Sequence, residues 1–361
     1  MVYYVRFLKT PRIQKQQAGA LSVNALVCIT TDLGDAFLAQ DVDLLAVLTV
    51  EDSDVPLYQE SLAWKAGKRE LSVSLGPFSK DLSRSPIVLG VRAIEKRGKP
   101  FLNPADNLQD ASSIPLVISG WSAPFGGPQL SAAERVIERR LFLQDGRPAV
   151  RIWEETGNSI ARHIWDAALA SMLYLQSGIS SSSRSLSMQS LQERISQNDN
   201  LLHVLELGAG CGIVGISLAH LRSQTSVVLT DLPEVEEIVM RNISVSSPAK
   251  ASGVKFETLD WDEEPPKRIR DTEIDLILVS DCTYNADSLP SLVSVLKHLT
   301  ALSPRALILV ALKRRHDSEA IFFDLMQSAD LQALQQDSVL LPAAHGQADR
   351  IELHAYGRQP R

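Results

Sequence analysis

The chain has 361 residues, of which 45% are hydrophobic and 22% charged, a composition typical of globular proteins. Its length allows about two domains. The formal net charge of −7 argues against general binding to nucleic acid or to an anionic membrane surface. The N-terminal residues lack the apolar core of a signal peptide, and no apolar run approaches the length of a membrane span. We therefore expect neither a nucleic-acid partner nor a membrane partner.

The cysteines and histidines argue against a cross-linked or metal-binding protein. The three cysteines, at positions 28, 211 and 282, form no C-x-x-C pair, and the seven histidines show no ligand spacing. We predict no disulfide framework and no metal site. These features favour a reducing compartment, so we expect a monomer in the cytoplasm, with the nucleus as a further location.

The first third of the chain reads as an all-β domain, a sandwich or a barrel, over residues 1–118. Its short apolar runs are separated by Asp, Gly, Pro and Ser clusters and show little helical periodicity. Residues 119–140 follow as a linker and a short helix. The linker is rich in Gly and Pro. For the helix, over 131–140, Ser131 is the expected N-cap and Glu134 stands at the capping-box position.

The remaining residues, 141–361, are predicted to form an α/β domain. It opens with a hairpin, because Asp145-Gly146 lies between the apolar runs 141–143 and 149–153. An amphipathic helix is predicted at 164–175. A Ser-rich insert follows at 177–198, where eight of the fourteen residues from Ser177 to Ser190 are serine. The composition favours a flexible surface insert over a regulatory phosphorylation site.

From residue 201 onward, strands alternate with helices, which indicates a mainly parallel sheet covered on both faces. The last two strands are joined by a short connection containing Pro342 and Gly346, so we expect an antiparallel pair at the sheet edge. Seven strands with this reversal form the Rossmann-like fold of class I methyltransferases. Strands are predicted at 201–207, 226–230, 254–259, 274–280, 305–312, 336–341 and 350–356, and helices at 212–222, 233–245, 286–300 and 317–329.

A glycine-rich turn followed by a distant carboxylate is the most informative pattern of the chain. Residues 204–212 read VLELGAGCG, and a second apolar strand delivers Asp231 nineteen residues beyond Gly212. Glycines let the backbone approach a nucleoside closely, and the carboxylate accepts hydrogen bonds from ribose hydroxyls. The glycines also satisfy G-x-G-x-x-G, the pattern of a dinucleotide site.

The spacing of the glycines from the end of the strand distinguishes a dinucleotide site from a site for another nucleoside. Counted from Glu206, the glycines give E-L-G-x-G-x-G, the form used by enzymes that bind S-adenosylmethionine (SAM). Glu206 would repel a pyrophosphate but suits the ammonium group of a methionine moiety. We therefore predict a SAM site, with Gly208, Ala209, Gly210 and Gly212 forming the bed for the methionine.

Two later strand ends supply further candidates. Asp260 and Trp261 follow the third strand, where the indole can pack on adenine and the carboxylate or the backbone can meet the exocyclic amine. The alternative is a turn cap and a packed aromatic. Ser280, Asp281 and Tyr284 follow the fourth strand, where ligands of open α/β sheets bind.

The residues after the fourth strand suit an amine acceptor. A lysine, with an unperturbed pKa of about 10.4, must lose a proton before it can attack a methyl group. Tyr284 can attract the cation through its ring and Asp281 through its charge. Since methyl transfer is largely a matter of positioning, no strong base is required. The alternative is that Asp281 and Tyr284 only terminate the strand.

Residues from about 141 to 356 resemble the eukaryotic family 16 seven-β-strand methyltransferases, protein-lysine methyltransferases of the methyltransferase-like 21 type. The extra N-terminal β-domain is that of a fungal-type member. The resemblance implies that Trp165, Asp231, Trp261, Ser280 and the glycine turn contact the cofactor. It also implies that Asp281 and Tyr284 shape the channel for the target lysine. The residues that carry the resemblance are Thr156-Gly157, Ile164-Trp165-Asp166-Ala167-Ala168, Glu206 to Gly212, Thr230-Asp231-Leu232-Pro233, Asn242, Leu259-Asp260-Trp261 and Asp281-Cys282-Thr283-Tyr284.

Three functions remain open at this point. The first is a SAM-dependent methyltransferase acting on a lysine of a cytosolic or nuclear protein. The second is an enzyme that methylates a small amine or a nicotinamide-like pyridine. The third is a non-catalytic module that binds SAM and engages a partner through its β-domain. The intact glycine turn, Asp231 and D-x-x-Y motif argue against the third.

Overall fold

The computed structural model describes residues 2–15, 20–78, 85–94, 108, 110–128, 131–141, 150–155, 157, 159–180, 186–197, 200–344 and 348–358. Within these ranges, none of the helices is both long enough and apolar enough to cross a bilayer.

The N-terminal part is built from two sheets. One has the strand order β5-β2-β1-β7, and the other has the order β11-β10-β8-β6-β3-β4, with β9 paired to β6. Buried side chains of both sheets, such as Val27 and Leu48, belong to one apolar cluster. The strands are β1 (Tyr3–Lys15), β2 (Leu21–Thr30), β3 (Val42–Val50), β4 (Pro56–Trp64), β5 (Leu71–Phe78), β6 (Pro86–Ala93), β7 (Val117–Ile118), β8 (Gly120–Ser122), β9 (Phe125–Gly126), β10 (Val136–Leu141) and β11 (Val150–Glu155), and a 3₁₀ helix spans Ala111–Ser113.

The predicted linker and short helix over 119–140 are wrong. Residues 119–130 contribute the short strands β8 and β9, and residues 136–141 form β10 instead of a helix. The capping pattern is local, whereas β10 pairs with a strand on each side and buries Val136 and Ile137. Glu134 is engaged in an ion pair with Arg241 at 2.8 Å. Tertiary pairing therefore overrides the local helix signal.

The hairpin expected around Asp145-Gly146 is present as the antiparallel pair of β10 and β11. Its first strand begins earlier than predicted, and the turn lies outside the described residues. Because both strands join the sheet of β3, β4, β6 and β8, the β-sheet region continues to Glu155.

The Ser-rich insert is only partly as expected. Helix α1 (Asp166–Ser180) runs into it, and a second helix, α2 (Gln189–Ser196), buries Leu191 and Ile195. A flexible surface segment is therefore wrong for residues 186–196, because these apolar side chains join the core. Residues 181–185 lie outside the described ranges.

The C-terminal part is the predicted seven-stranded sheet, with the strand order β14-β13-β12-β15-β16-β18-β17. Of its seven strands, only β18 is reversed, and it runs antiparallel to both β16 and β17, which confirms the expected pair at the sheet edge. The strands are β12 (Leu202–Leu207), β13 (Thr225–Asp231), β14 (Gly253–Thr258), β15 (Leu276–Ser280), β16 (Leu307–Leu312), β17 (Leu331–Leu341) and β18 (Asp349–Arg358).

Helices cover both faces of this sheet. Alternate residues of its central strands point to opposite sides, so Leu278 packs in one apolar cluster with Leu218 of α3, and Ile277 packs in another with Leu296 of α6. The helices are α3 (Ile213–Leu221), α4 (Glu236–Val245), α5 (Lys267–Arg270), α6 (Leu289–Leu302) and α7 (Ile321–Ser328), with 3₁₀ turns at Pro233–Val235 and Asp317–Ala320. The four predicted helices are thus confirmed.

A buried ion pair fixes the β-sheet region. Arg139 and Glu154 have fully buried side chains, and Arg139 Nε donates to Glu154 Oε1 at 2.8 Å. Arg139 Nη1 also donates to the carbonyls of Val5 and Ser119, at 2.8 and 2.9 Å. One guanidinium therefore joins both N-terminal sheets.

We predict that Arg139→Met lowers the free energy of unfolding by about 3–5 kcal/mol, because Glu154 is left as a buried charge without its cation. Urea denaturation measures the change. The control is Lys65→Met, since Lys65 pairs with Asp41 at 2.8 Å on the exposed surface and its loss should have no measurable effect. Equal effects of the two substitutions would contradict the assignment.

Candidate functional site

The carboxyl ends of three neighbouring parallel strands meet at one edge of the C-terminal sheet. Leu207, at the end of β12, is in register with Thr230 of β13 and Val279 of β15. The residues that follow these strands therefore face one another across a short distance. Between them lies a cleft of about 500 Å³, within the range of about 300–1,000 Å³ that is usual for small-ligand sites.

The glycine turn between β12 and α3 packs so closely that side chains are excluded. Gly208 and Gly210 have φ angles of +63° and +54°. A Cβ atom at Gly208 would lie 2.5 Å from Cys282 Sγ, and one at Gly210 would lie 3.0 Å from the Ala161 carbonyl oxygen. The turn thus presents bare backbone to the cleft, as a bed for a ligand requires.

Glu206 lies beneath this turn and is 2% exposed. Its Oε2 accepts a hydrogen bond from the Gly215 N–H, in the first turn of α3, at 2.7 Å. Burial raises the pKa of Glu206 to about 8, although the Gly215 N–H acts in the opposite direction. The carboxyl lines the cleft and also secures the start of α3.

Asp231 stands at the end of β13 with its carboxylate held by two backbone donors. Oδ2 accepts from Gly210 N at 2.8 Å, and Oδ1 accepts from Leu232 N at 2.7 Å. Burial raises the pKa of Asp231, and these hydrogen bonds offset part of the rise. Each carboxylate oxygen has a further lone pair for a hydroxyl donor.

Asp260 and Trp261 line the cleft beyond Asp231. The Trp261 ring reaches the glycine turn, since a Cβ at Gly208 would lie 3.3 Å from its Cζ2. Asp260 Oδ1 accepts from Asp262 N at 3.0 Å, which is the turn-capping role left open by the sequence. Both residues are therefore structural elements of the turn and parts of the cleft wall.

The segment after β15 forms the opposite wall. Ser280 Oγ lies 2.9 Å from Ser171 Oγ of α1. Asp281 has a φ angle of +58°, and its N–H donates to Ala311 O at 2.8 Å. Tyr284 lines the cleft with 58% of its surface exposed, and burial of the remainder raises the pKa of its hydroxyl.

Arg315, which the sequence analysis missed, binds Asp281 through two parallel hydrogen bonds. Its Nη1 and Nη2 donate to Asp281 Oδ1 and Oδ2 at 2.7 and 2.8 Å. Burial raises the pKa of Asp281, and the guanidinium counteracts this rise. Arg315 also lies 5.5 Å from the Trp165 ring centre, and its Nη2 donates to Asp32 at 3.0 Å. The sequence offers one signal for Arg315: it lies just after a predicted strand, at the same edge of the sheet as the other site residues.

The cleft brings together all but one of the candidate residues, the exception being Gly212, which starts α3 and faces Leu229 of the sheet. Trp165 lies just before α1, and its Nε1 donates to Ile160 O at 3.2 Å. Among the described residues, no three His, Cys, Asp or Glu side chains are grouped so as to hold a metal ion. The candidates that line the cleft are Trp165, Glu206, Gly208, Ala209, Gly210, Asp231, Leu232, Asp260, Trp261, Ser280, Asp281 and Tyr284.

These residues fit SAM. Gly208 and Gly210 line the cleft without side chains, so a ligand can approach their backbone closely. The oriented Asp231 carboxylate is suited to a pair of ribose hydroxyls. Trp261 provides an aromatic surface for adenine. When bound, SAM supplies an activated methyl group.

Comparison with known proteins decides the family. Residues 144–329, just over half of the chain, match the model of a family described as lysine methyltransferase. The chain belongs to this lysine methyltransferase family. It is a SAM-dependent methyltransferase with the class I fold, and SAM is its methyl donor.

The relatives of this methyltransferase include proteins that are named as lysine methyltransferases. EEF1A lysine methyltransferase 3 of Mus musculus is 32% identical over 49% of this chain and 68% of its own length. Protein N-lysine methyltransferase METTL21A of Xenopus tropicalis is 29% identical over 48% of this chain and 70% of its own. UPF0665 family protein C23C4.06c of Schizosaccharomyces pombe is 26% identical over 89% of this chain and 91% of its own, so its similarity includes the N-terminal β-sheet region.

We predict that Gly208→Ala weakens the affinity of the methyltransferase for SAM about tenfold or more. The added methyl group would meet Cys282 Sγ at 2.5 Å and occupy backbone that is strained for any L-residue, so the turn must shift. Isothermal titration calorimetry measures the affinity. Gly253→Ala is the control, because no atom lies within 4 Å of its added Cβ. Unchanged SAM affinity in Gly208→Ala would exclude close packing of the ligand on the turn.

We also predict that Glu206→Gln reduces the loss of stability with rising pH. With a folded-state pKa of about 8, raised above that of an unfolded glutamate, the folded protein holds a proton that the unfolded chain releases. The resulting stabilisation is complete below a pH of about 4 and is lost as the pH rises through about 8. Urea unfolding without ligand at pH 5 and pH 8 measures the difference. Parallel pH dependences of the wild type and the variant would contradict the raised pKa.

Proposed function

We propose that this methyltransferase modifies a lysine side chain of another protein in the cytoplasm or the nucleus, and that it acts as a monomer. Its relatives include enzymes that are named as methyltransferases of lysines in proteins. The free, buried thiols of its three cysteines suit a reducing compartment. Its net charge of −7 disfavours nucleic acid and membrane surfaces as partners.

The charge of the cleft carries this proposal. Seven acidic residues line it. Glu206, with a pKa of about 8, is mostly protonated at neutral pH, and Asp281 is paired with Arg315, so the negative charge comes from the other five. Such a lining attracts a cationic side chain and raises its local concentration. The acidic residues are Glu206, Asp231, Glu234, Asp260, Asp262, Asp281 and Asp287.

The rim of the cleft suits a macromolecular substrate. Ile160, Leu232 and Tyr284 line the cleft and expose 58%, 38% and 58% of their surfaces. Exposed apolar side chains grouped at one place can mark a site of contact with another protein. A lysine, with its long apolar stem and charged end, matches an apolar rim above an acidic floor.

Asp281 and Tyr284 have different roles in this proposal. Both oxygens of Asp281 are bound by Arg315, so its charge is paired and its side chain anchors the backbone turn that presents Tyr284. The exposed ring of Tyr284 attracts the incoming ammonium and orients it. The amine must then lose a proton to water, because an ammonium has no lone pair. The cofactor-binding candidates that line the cleft hold SAM: Trp165, Glu206, Gly208, Ala209, Gly210, Asp231, Leu232, Asp260, Trp261 and Ser280.

The identity of the substrate class is tested by incubating the protein with radiolabelled SAM and a lysate of cells that lack the enzyme. We expect label on protein, located on lysine by mass spectrometry. The sample without enzyme is the control. Label found only in small molecules would overturn the proposal and favour methylation of a small amine.

The roles of the two residues are tested by Asp281→Ala and Tyr284→Ala, since alanine removes the ring that phenylalanine would keep. We predict that each lowers turnover at least about tenfold while changing SAM affinity less than about threefold, because the two side chains orient the acceptor and not the donor. Rates come from transfer of label and affinities from calorimetry. The control is Tyr58→Ala on β4, where the tyrosine packs on Phe78 away from the cleft. Equal losses of turnover and SAM affinity would contradict these roles.

A further inference from the structure

One residue of the N-terminal β-sheet region reaches the methyl-transfer site. Asp32 follows β2, is 2% exposed, and lies 283 positions before Arg315 in the chain. Its Oδ2 accepts from Arg315 Nη2 at 3.0 Å and from Asp166 N at 3.2 Å. Its other oxygen accepts from Leu33 N at 2.8 Å. The side chain of Asp32 is therefore held in one orientation.

Both Nη atoms of the Arg315 guanidinium are thereby bound. Nη2 donates to both Asp32 and Asp281. Within the described part of the chain, Nη1 donates to Asp281 only. The guanidinium lies beside the Trp165 ring. Two residues that line the cleft are consequently oriented by one arginine, and that arginine is oriented by Asp32.

We propose that Asp32 is a positioning residue for methyl transfer, which holds Arg315 and through it Asp281 and Trp165. The N-terminal β-sheet region thus completes the active site of the C-terminal sheet. The inference rests on the proposed roles of Asp281 and Trp165.

Stability alone does not explain the arrangement. Two buried aspartates meet a partly buried arginine here. Buried ion clusters commonly stabilise a fold no more than apolar residues of equal volume. Planar, two-pronged binding of a carboxylate does, however, define its orientation. A misplacement of about 1 Å can reduce an enzymatic rate about a hundredfold.

The test measures label transfer to lysate protein, SAM affinity and thermal midpoint for Asp32→Ala, Asp32→Asn and Arg315→Gln. We expect Asp32→Ala to lower the transfer rate about tenfold or more at saturating SAM. Asp32→Asn should lose less, because its amide oxygen still accepts from Arg315. Two controls are matched to these variants. Asp35→Asn alters a carboxylate of the same loop that binds Thr31, and Arg314→Gln alters the neighbouring arginine, which pairs with Glu352. Both controls should retain the wild-type rate.

A double substitution separates positioning from folding. If Asp32 acts through Arg315, adding Asp32→Ala to Arg315→Gln should cause little further loss of rate, although the thermal midpoint should fall further because Asp166 N loses its acceptor. Equal rate losses in both backgrounds would overturn the inference, because they would indicate a purely structural role.

The outcome also distinguishes the inference from the proposed function. A normal rate in Asp32→Ala together with a strongly reduced rate in Asp281→Ala would overturn only the inference. A normal rate in Asp281→Ala would overturn the proposed role of Asp281 and the inference with it.

Discussion

The close approach of the glycine turn to its neighbours is the constraint on which the cleft depends. The turn after β12 passes between Cys282 and Trp261 on one side and the Ala161 carbonyl on the other, and a methyl group at Gly208 would lie 2.5 Å from Cys282 Sγ. The hydrogen bond from Gly210 N to Asp231 then ties the turn to the end of the next strand. The glycine turn and the Asp231 carboxylate, to which we assign the methionine and the ribose as a proposal, are therefore directly connected.

Much of this unit could be predicted from the sequence, because it depends on local patterns. Alternating apolar strands and helices predict a mainly parallel C-terminal sheet, and the carboxyl ends of parallel strands bring Gly208, Asp231 and Ser280 to one edge. By contrast, Ser131 and Glu134 provided a good local helix signal that the pairing of β10 on both sides overrides. Gly212 matches the motif, yet its position is determined by the start of α3 and not by the cleft.

The contacts of Asp32 and Arg315 could not be predicted, because nothing in a single sequence relates residues 283 positions apart. A buried aspartate after β2 has no local signature, and Arg315 belongs to a basic run that resembles a solvated surface loop. Trp165 was identified only by resemblance, because the helical pattern alone predicts that an aromatic residue at this position packs in the core. The contacts that the sequence did not predict are those that join the C-terminal sheet to the N-terminal β-sheet region, such as Arg315 with Asp32.

The position of Trp165 shows how strongly the two parts of the molecule are integrated. The residues on either side of it are bound by carboxylates of the β-sheet region: Ile164 N donates to Glu154 of β11 at 2.8 Å, and Asp166 N donates to Asp32 at 3.2 Å. The Asp166 side chain is in turn bound by Tyr4 of β1 and by Lys313, each at 2.9 Å.

Burial and the nearby charge of Asp32 raise the pKa of Asp166 to about 7, although Lys313 acts against this rise. Without the β-sheet region, the start of α1 would lose two acceptors, and Asp166 would lose the hydroxyl donated by Tyr4. Because Trp165 begins the wall of the cleft at that point, these contacts join the β-sheet region to the cleft wall. We propose that the β-sheet region thereby helps to determine the shape of the cleft.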